Sequence, residues 1–491
     1  MTPHPALSPL RGARDRHELW SMIINGKKVG AKSGKTFPVV NPATGMQFAS
    51  VAEGGAEDVR TAIEAAQAAL DGPWSKLTAR ERGKLMFKLA NLMRERGEEL
   101  ARLETANAGK PIRDSRDEAG LAADTIEYYG GAANKYFGNT IPAAAQGLVL
   151  TLREPVGVCA LIVPWNYPLV IACWKLGPAL ACGNTVVLKP ASYTPLTALK
   201  LGELASEAGF PPGVVNVVTG PGRSLGNTLI AHPAVKKISF TGETTTGVEI
   251  MKLAAPGIKR VSLELGGKSA SVIFADADLE AASQGSVFSV FSNAGQDCCA
   301  RSRILVEEKA HDKFLELYAK KVQAIKLGDP AKDETEVGPL ISETQRQKVM
   351  GYIKIGENAS AKRILGGKIL PGPGYFLEPC ILDKVGPSAR VFQEEIFGPV
   401  VSITAFKTEE EAIRLANSTI YGLSGSIWTG SVGRAIRAAK GVKTGNLSVN
   451  SSSSVHLESP FGGVGASGVG RELGMAAMDL YSEVKTIFIA S

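Results

Sequence analysis

From Val158 onward, short runs of β-branched residues alternate with longer stretches whose apolar positions recur at helical spacing. "VCALIV", "TVVLKP", "VVNVVTG" and "KKISFTG" read as strands, and segments such as "TALKLGELASEAG" between them read as amphipathic helices. Stacked βαβ units of this kind imply a parallel sheet with helices packed on its faces. A second series opens near Ser269, with "ASVIF", "RILVEE", "GPVVSITAF", "LSGSIW" and "TGNLSVN" as candidate strands. The pattern therefore predicts an α/β fold of two Rossmann-like parallel-sheet domains that meet near Gly266 and Gly267.

Two segments follow neither series: "NTIPAAAQGLVLTLREP" and the final "YSEVKTIFIA". Both read as edge strands whose apolar positions need cover, from a second subunit or by pairing within the chain. The most apolar stretch, Val156 to Leu188, is interrupted by Pro164, Asn166, Pro168, Lys175 and Asn184, so it reads as buried core and not as a membrane span. Residues 1–21 carry three prolines and then three arginines without an apolar run, which excludes a secretory signal. They read as an N-terminal extension compatible with disorder, and the abrupt start of strand pattern at "MIINGKKV" makes Met22 a candidate translation start.

Composition narrows the class. A chain of 491 residues is too long for one core, and 44% hydrophobic with 21% charged residues fits a globular enzyme better than a disordered or fibrous chain. The formal charge of +7 is spread thinly, with no basic block interleaved with aromatics, so a nucleic-acid surface is not expected. Six cysteines (159, 173, 182, 298, 299 and 380) show no CxxC or Cys/His spacing, which points to no metal site and to a reduced, cytoplasmic setting. Two motifs mislead. "GVGASG" at Gly463–Gly468 matches a dinucleotide fingerprint, with Glu483 20 residues beyond Gly463, but it follows loop-like "HLESPF" and not a strand. "GGKS" at Gly266–Ser269 lacks the first glycine of a phosphate loop, since position 262 is Ser262.

Four stretches taken together resemble the aldehyde dehydrogenase superfamily: "PWNYP" (Pro164 to Pro168), "LELGGK" (Leu263 to Lys268), "GQDC" (Gly295 to Cys298) and "EEIFGPV" (Glu394 to Val400). Their spacing matches as well, 34 residues from 264 to 298 and 97 from 298 to 395. The resemblance implies a dinucleotide-binding domain at 22–133 and 156–266, a catalytic domain at 267–470, and a small β oligomerisation arm at 134–155 and 471–491. It also implies a homodimer or homotetramer in which the arm segments exchange between subunits.

The resemblance places the nucleophile at Cys298, with Cys299 as its packed neighbour. A thiolate attacks an aldehyde well and later leaves well, and an ordinary thiol pKa of about 8.5 leaves a few per cent thiolate near neutrality. The oxyanion then needs fixed donors, which the resemblance assigns to the Asn166 side chain and the Cys298 backbone N–H. Glu264 matches the base that activates water for thioester hydrolysis, its motion eased by the adjacent glycines. Lys175 and Glu472 match positions that pass the proton onward, although a structural ion pair explains them equally well.

For the dinucleotide, the resemblance has Lys189 on the adenosine ribose, Glu395 on the nicotinamide ribose and Phe397 packed nearby. Val163, Pro164, Trp165, Gly222, Phe240, Thr241, Gly242 and Leu265 complete the cleft. NAD-preferring relatives usually carry glutamate where this chain has Ser192, which removes a repulsion toward a 2′-phosphate. NADP or NAD is therefore expected, with Lys189 and Arg223 offering positive charge. Glu243 stands where relatives often have serine and should turn to solvent, leaving the pyrophosphate to backbone N–H groups at a helix start.

Tyr167, Trp174 and Phe461 match aldehyde-pocket positions and form an aromatic funnel suited to apolar or ammonium-bearing aldehydes. "GQDC" is similar to the aminoaldehyde and betaine aldehyde branch, where Asp297 would attract a cationic tail. Capping of a local turn explains Asp297 equally well. A carboxylate there should also raise the neighbouring thiol pKa. Val455 replaces an aromatic found in some relatives and weakens the aminoaldehyde reading. The expected reaction is aldehyde to carboxylate; alternatives are a CoA-acylating semialdehyde dehydrogenase, disfavoured by Glu264, and a non-catalytic dinucleotide binder, disfavoured by Cys298, Asn166 and Glu264 together.

Overall fold

The computed structural model describes residues 18–491. Its first sheet has eight strands, of which five are parallel: Arg260–Glu264, Val235–Thr241, Val158–Ile162, Thr185–Lys189 and Val215–Val217, in that spatial order. After an edge hairpin of Met22–Ile24 and Lys27–Val29, the chain starts the five parallel strands at the central one, moves outward on one side, then crosses back and fills the other. Strand order thus reverses between Val158–Ile162 and Val235–Thr241, and the loops leaving their C-terminal ends diverge to open a crevice. Apolar clusters cover both faces of this sheet, which is why its strands are almost continuously apolar.

A second sheet of seven strands holds Ala270–Ile273, Arg303–Glu307, Val400–Phe406, Cys380–Asp383, Gly425–Trp428 and Ser448–Val449 in parallel, with Lys362–Leu365 antiparallel at one edge. The chain changes sheets between Glu264 and Ala270. Among the described residues no helix is long and apolar enough to cross a membrane. The apolar segment after Val158–Ile162 forms the helix Pro168–Ala181, started by proline in its first turn and buried along nearly its whole length.

The two edge segments find each other. Gly147–Pro155 and Ser482–Ala490 pair antiparallel over nine residues, and Thr140–Ile141 adds a short third strand.

Three boundaries drawn from sequence need correction. The supposed extension 1–21 ends sooner, because Glu18–Trp20 is a strand paired with Ala49–Val51; residues 1–17 lie outside the described residues. The catalytic segment 267–470 ends sooner too, since Gly468–Val469 joins the edge of the first sheet against Leu263 and Glu264. The arm 471–491 begins later. Met475–Tyr481 forms a 3₁₀ turn whose Ala477, Met478 and Tyr481 pack into the core of the first domain, leaving only Ser482–Ala490 in the arm. A local apolar pattern cannot tell which distant core it will join.

Candidate active site

Cys298 sits where two cavities meet. One, of about 160 Å³, is built at the crevice by residues that leave the C-terminal ends of three strands: Pro164 to Asn166, Thr241 to Glu243, and Glu264 to Gly266. Glu395 and Phe397 close it from the second domain. The other, of about 410 Å³, is lined by Tyr167, Trp174, Asp297, Val455 and Phe461. Cys298 belongs to both linings.

The nucleophile loop is held under backbone strain. Asn293, Ala294 and Gly295 all adopt left-handed conformations, with φ of 50°, 56° and 69°. For the two non-glycine residues this costs about 1–2 kcal/mol each. Side-chain amides offset that cost: Asn293 donates to the Asn166 carbonyl at 2.9 Å, and Gln296 donates to the Asn293 carbonyl at 3.0 Å while accepting from the Ile341 N–H at 2.9 Å. Asn166, nearly fully buried, donates its own side-chain amide to the Gln296 carbonyl at 3.0 Å. The oxyanion-donor candidate is thereby locked to the loop that carries Cys298.

The glycine pair of "LELGGK" serves close approach. A Cβ on Gly266 would lie 2.3 Å from Glu395 Oε2, and one on Gly267 would lie 2.3 Å from the Cys298 carbonyl oxygen. Neither glycine has positive φ, so space between the domains, and not freedom of Glu264, is what this structure requires of them. The Gly267 N–H donates to Glu395 Oε1 at 3.0 Å, and burial pushes the Glu395 carboxyl up to about 7. Phe397, with φ of 57°, meets the Trp165 ring edge-on at 5.1 Å between centroids.

Glu264 is buried, and its Oε2 has no partner. Burial first, then the nearby Glu472 carboxylate, hold its carboxyl well above the usual range, with Lys175 opposing. Lys175 and Glu472 form a fully buried ion pair, and Ser239 joins it by accepting from Lys175 and donating to Glu472, each at 3.0 Å. The hydrogen-bonded Cys299 thiol, burial, and the charges of Cys299, Asp297 and Glu395 hold the Cys298 thiol well above the ordinary thiol range. This arrangement disfavours the thiolate relative to an ordinary cysteine.

Some cofactor candidates lie outside the crevice cavity. Val163 is buried in the core beneath it, and Phe240 packs its ring against Gly242. Lys189 donates to the Pro190 carbonyl at 3.1 Å and is lowered to about 8 by burial; Ser192 donates to the Gly220 carbonyl at 2.9 Å. Gly222 and Arg223 are exposed at the start of the helix Gly222–Ala231. Glu243 is exposed and caps the helix Thr244–Ala254 without a side-chain hydrogen bond, so the N–H groups of that first turn stay available to an anion. Open space beside Gly222, the unpartnered Thr241 hydroxyl and this helix start fit a dinucleotide. Asp297 lines the larger cavity but accepts the Cys299 N–H at 2.8 Å, a local turn. Sequence reasoning missed Gln345 and Lys348 in the smaller cavity and Arg301 and Ser454 in the larger. Gln345 arrives from a separate helix and donates to the Phe397 carbonyl at 2.7 Å, which no local pattern announces.

A doubly wound domain whose crevice faces a second cavity across one thiol is the architecture of a dinucleotide-dependent oxidoreductase. Comparison makes this specific. The chain belongs to the aldehyde dehydrogenase family, whose description "Aldehyde dehydrogenase family" matches residues 29–487. It is 43% identical over 477 residues to a betaine aldehyde dehydrogenase of Bacillus subtilis, covering 95% of this chain and 97% of that one. Among solved structures it is similar to an NAD-dependent aldehyde dehydrogenase from Sinorhizobium meliloti (TM-score 0.95, 41% identity, 96% and 95% of the two chains). It is equally similar to the NAD+ complex of an aldehyde dehydrogenase from Bacillus cereus (TM-score 0.95, 42% identity, 96% and 97%). The chain is thus an NAD(P)-dependent, aldehyde-oxidising enzyme.

Proposed function

We propose that this enzyme oxidises a broad range of aldehydes to carboxylates through a thioester on Cys298, and that it accepts NADP as well as NAD. The convergence of both cavities on Cys298 carries this reading. The larger cavity guides the aldehyde between Tyr167, Trp174 and Phe461 so that its carbonyl carbon meets the sulfur. A nicotinamide dinucleotide bound in the crevice supplies the hydride acceptor and a positive ring that favours the thiolate.

The Asn166 amide and the Cys298 N–H receive the oxyanion, and the amide is already fixed by its bond to the nucleophile loop. Glu264 takes the proton of the water that opens the thioester. Its unpartnered oxygen is free for that bond, and the Lys175–Glu472 pair with Ser239 lies behind it to carry the proton away. Glu395 and Phe397 would hold the nicotinamide end, and Gly222, Arg223 and Ser192 the adenosine end, with no carboxylate at 192 to repel a 2′-phosphate.

Mixing the protein with an aldehyde panel and either dinucleotide, with and without CoA, tests the reading through the absorbance of reduced nicotinamide. Turnover without CoA supports it. A Cys298→Ala variant that still turned over would end it. We further propose a cytoplasmic homodimer or homotetramer. Exposed Leu148, Leu152, Val484, Phe488 and Ile489 on the paired arm strands favour a second copy covering them, checked by light scattering of the intact protein.

A further inference from the structure

The larger cavity holds a charge that the chemistry at Cys298 does not use. Arg301 lies three residues past the nucleophile, lines the cavity and is only 4% exposed. Its Nη1 donates to the Cys299 carbonyl at 3.0 Å and its Nη2 to the Ser454 hydroxyl at 2.6 Å, which in turn shares a hydrogen with Ser424 at 2.9 Å. The Nε is buried without a partner, and no carboxylate of the described residues forms an ion pair with this guanidinium. Buried charges are normally paired, because taking a guanidinium out of water costs several kcal/mol. Arg301 has donors to spare and no anion in contact.

The other groups around the cavity point the same way. Its only carboxylate among the described lining residues, Asp297, is engaged by the Cys299 N–H; burial raises its carboxyl, and that N–H with the charges of Arg301 and Lys110 opposes the rise. The aromatic faces that could take an ammonium are already engaged. Lys110 places its ammonium 4.1 Å from the centre of the Tyr167 ring, Arg113 lies over Phe288 at 5.4 Å, and Trp174 and Phe461 pack edge-on at 5.4 Å. Lys110 is paired with Glu104 and Glu118, and Arg113 with Asp114 and Glu336, so of these three cations Arg301 alone brings a charge without an ion pair. An anion would meet the remaining Nη hydrogens of a guanidinium already oriented by Cys299 and Ser454.

We propose that Arg301, seated on Ser454, is a specificity determinant that selects aldehydes bearing a carboxylate at their far end, the ω-oxo acids, over those bearing an ammonium. This rests on the reading of Cys298 as nucleophile and of the larger cavity as the aldehyde's. The reaction itself is unchanged: the aldehyde end is oxidised at sulfur while the distant carboxylate only anchors the chain.

The test compares 5-oxopentanoate, pentanal and 4-aminobutanal on the wild-type enzyme, then on Arg301→Gln and Arg301→Lys. The oxo acid is expected to exceed pentanal in kcat/KM by about tenfold or more, with the ammonium aldehyde last. In Arg301→Gln the ratio of oxo acid to pentanal should fall by about ten- to a hundredfold, mainly through KM, and Arg301→Lys should restore part of it. Equal or better use of pentanal or 4-aminobutanal by the wild type overturns the proposal, even if the variants fail to fold. So does a loss in Arg301→Gln that is the same for all three aldehydes, which would leave Arg301 as a tether of the nucleophile loop. Turnover of no aldehyde at all would overturn the role of Cys298 along with this one.

Discussion

Replacing Glu264 by glutamine separates the two halves of the reaction. The side chain is 5% exposed, one oxygen lacks a partner, and burial with the Glu472 charge holds the carboxyl well above its ordinary range. The glutamine amide keeps the shape and loses the basicity. A general base contributes about 10²- to 10⁴-fold, so steady-state kcat should fall by about that factor. Acylation of Cys298 does not need this base, so a rapid burst of about one reduced nicotinamide per active site should survive, with the thioester visible by mass spectrometry of the intact protein.

Stability supplies a second readout. Because the folded pKa of Glu264 lies above its unfolded value, its stabilising contribution is complete below an unfolded pKa of about 4.5 and is lost as pH rises through the folded pKa. The variant's thermal midpoint should therefore decline less toward alkaline pH than the wild type's. Loss of the burst together with steady-state turnover, or a kcat within about threefold of wild type, would refute the assignment.

Asn166→Ala should slow the burst itself by about a hundred- to a thousandfold in rapid-mixing experiments, and a normal burst would remove Asn166 from the oxyanion site. Asp297→Asn takes a negative charge from beside the thiol, so the pH profile for alkylation of Cys298 should move to lower pH; an unmoved profile would contradict the electrostatics. Ser192→Glu should depress kcat/KM for NADP relative to NAD, and an unchanged ratio would show that this position does not face the 2′-phosphate. Lys175→Met strands Glu472 in a buried site and should cost about 3–5 kcal/mol in denaturant unfolding, whereas a loss under about 1 kcal/mol would show that the pair is not truly desolvated.

The central strands were legible because buried parallel strands need unbroken β-branched runs, and the candidate site was legible in so far as Asn166, Glu264 and Cys298 line one cavity. What local sequence could not show is which distant surface a short segment joins. Gly468–Val469 adds an antiparallel edge to a sheet whose nearest strand ends at Glu264, and "GVGASG" is a close-packing loop. A Cβ on Gly462 would lie 2.6 Å from Glu264 Oε1, and one on Gly468 would lie 2.1 Å from the Leu263 carbonyl oxygen. Of the glycines that imitate a dinucleotide fingerprint, Gly468 lets the loop lie against the strand ending at Glu264, while Gly463 makes room for Ser467 within the loop. The reason for "GG" at 266 and 267 was hidden likewise, since both neighbours that demand it come from the second domain. Arg301 was in plain view beside the nucleophile, but its solitude as a charge is a three-dimensional fact.

The two chambers have one lining residue in common, Cys298, and are otherwise walled by different parts of the chain. Traffic on either side therefore need not queue for the other: a molecule that plugs the aldehyde entrance leaves the dinucleotide's route clear. Inhibitors shaped to the larger chamber should lower maximal velocity without competing against NAD or NADP, and spent dinucleotide can depart while the acyl group still occupies its own vestibule.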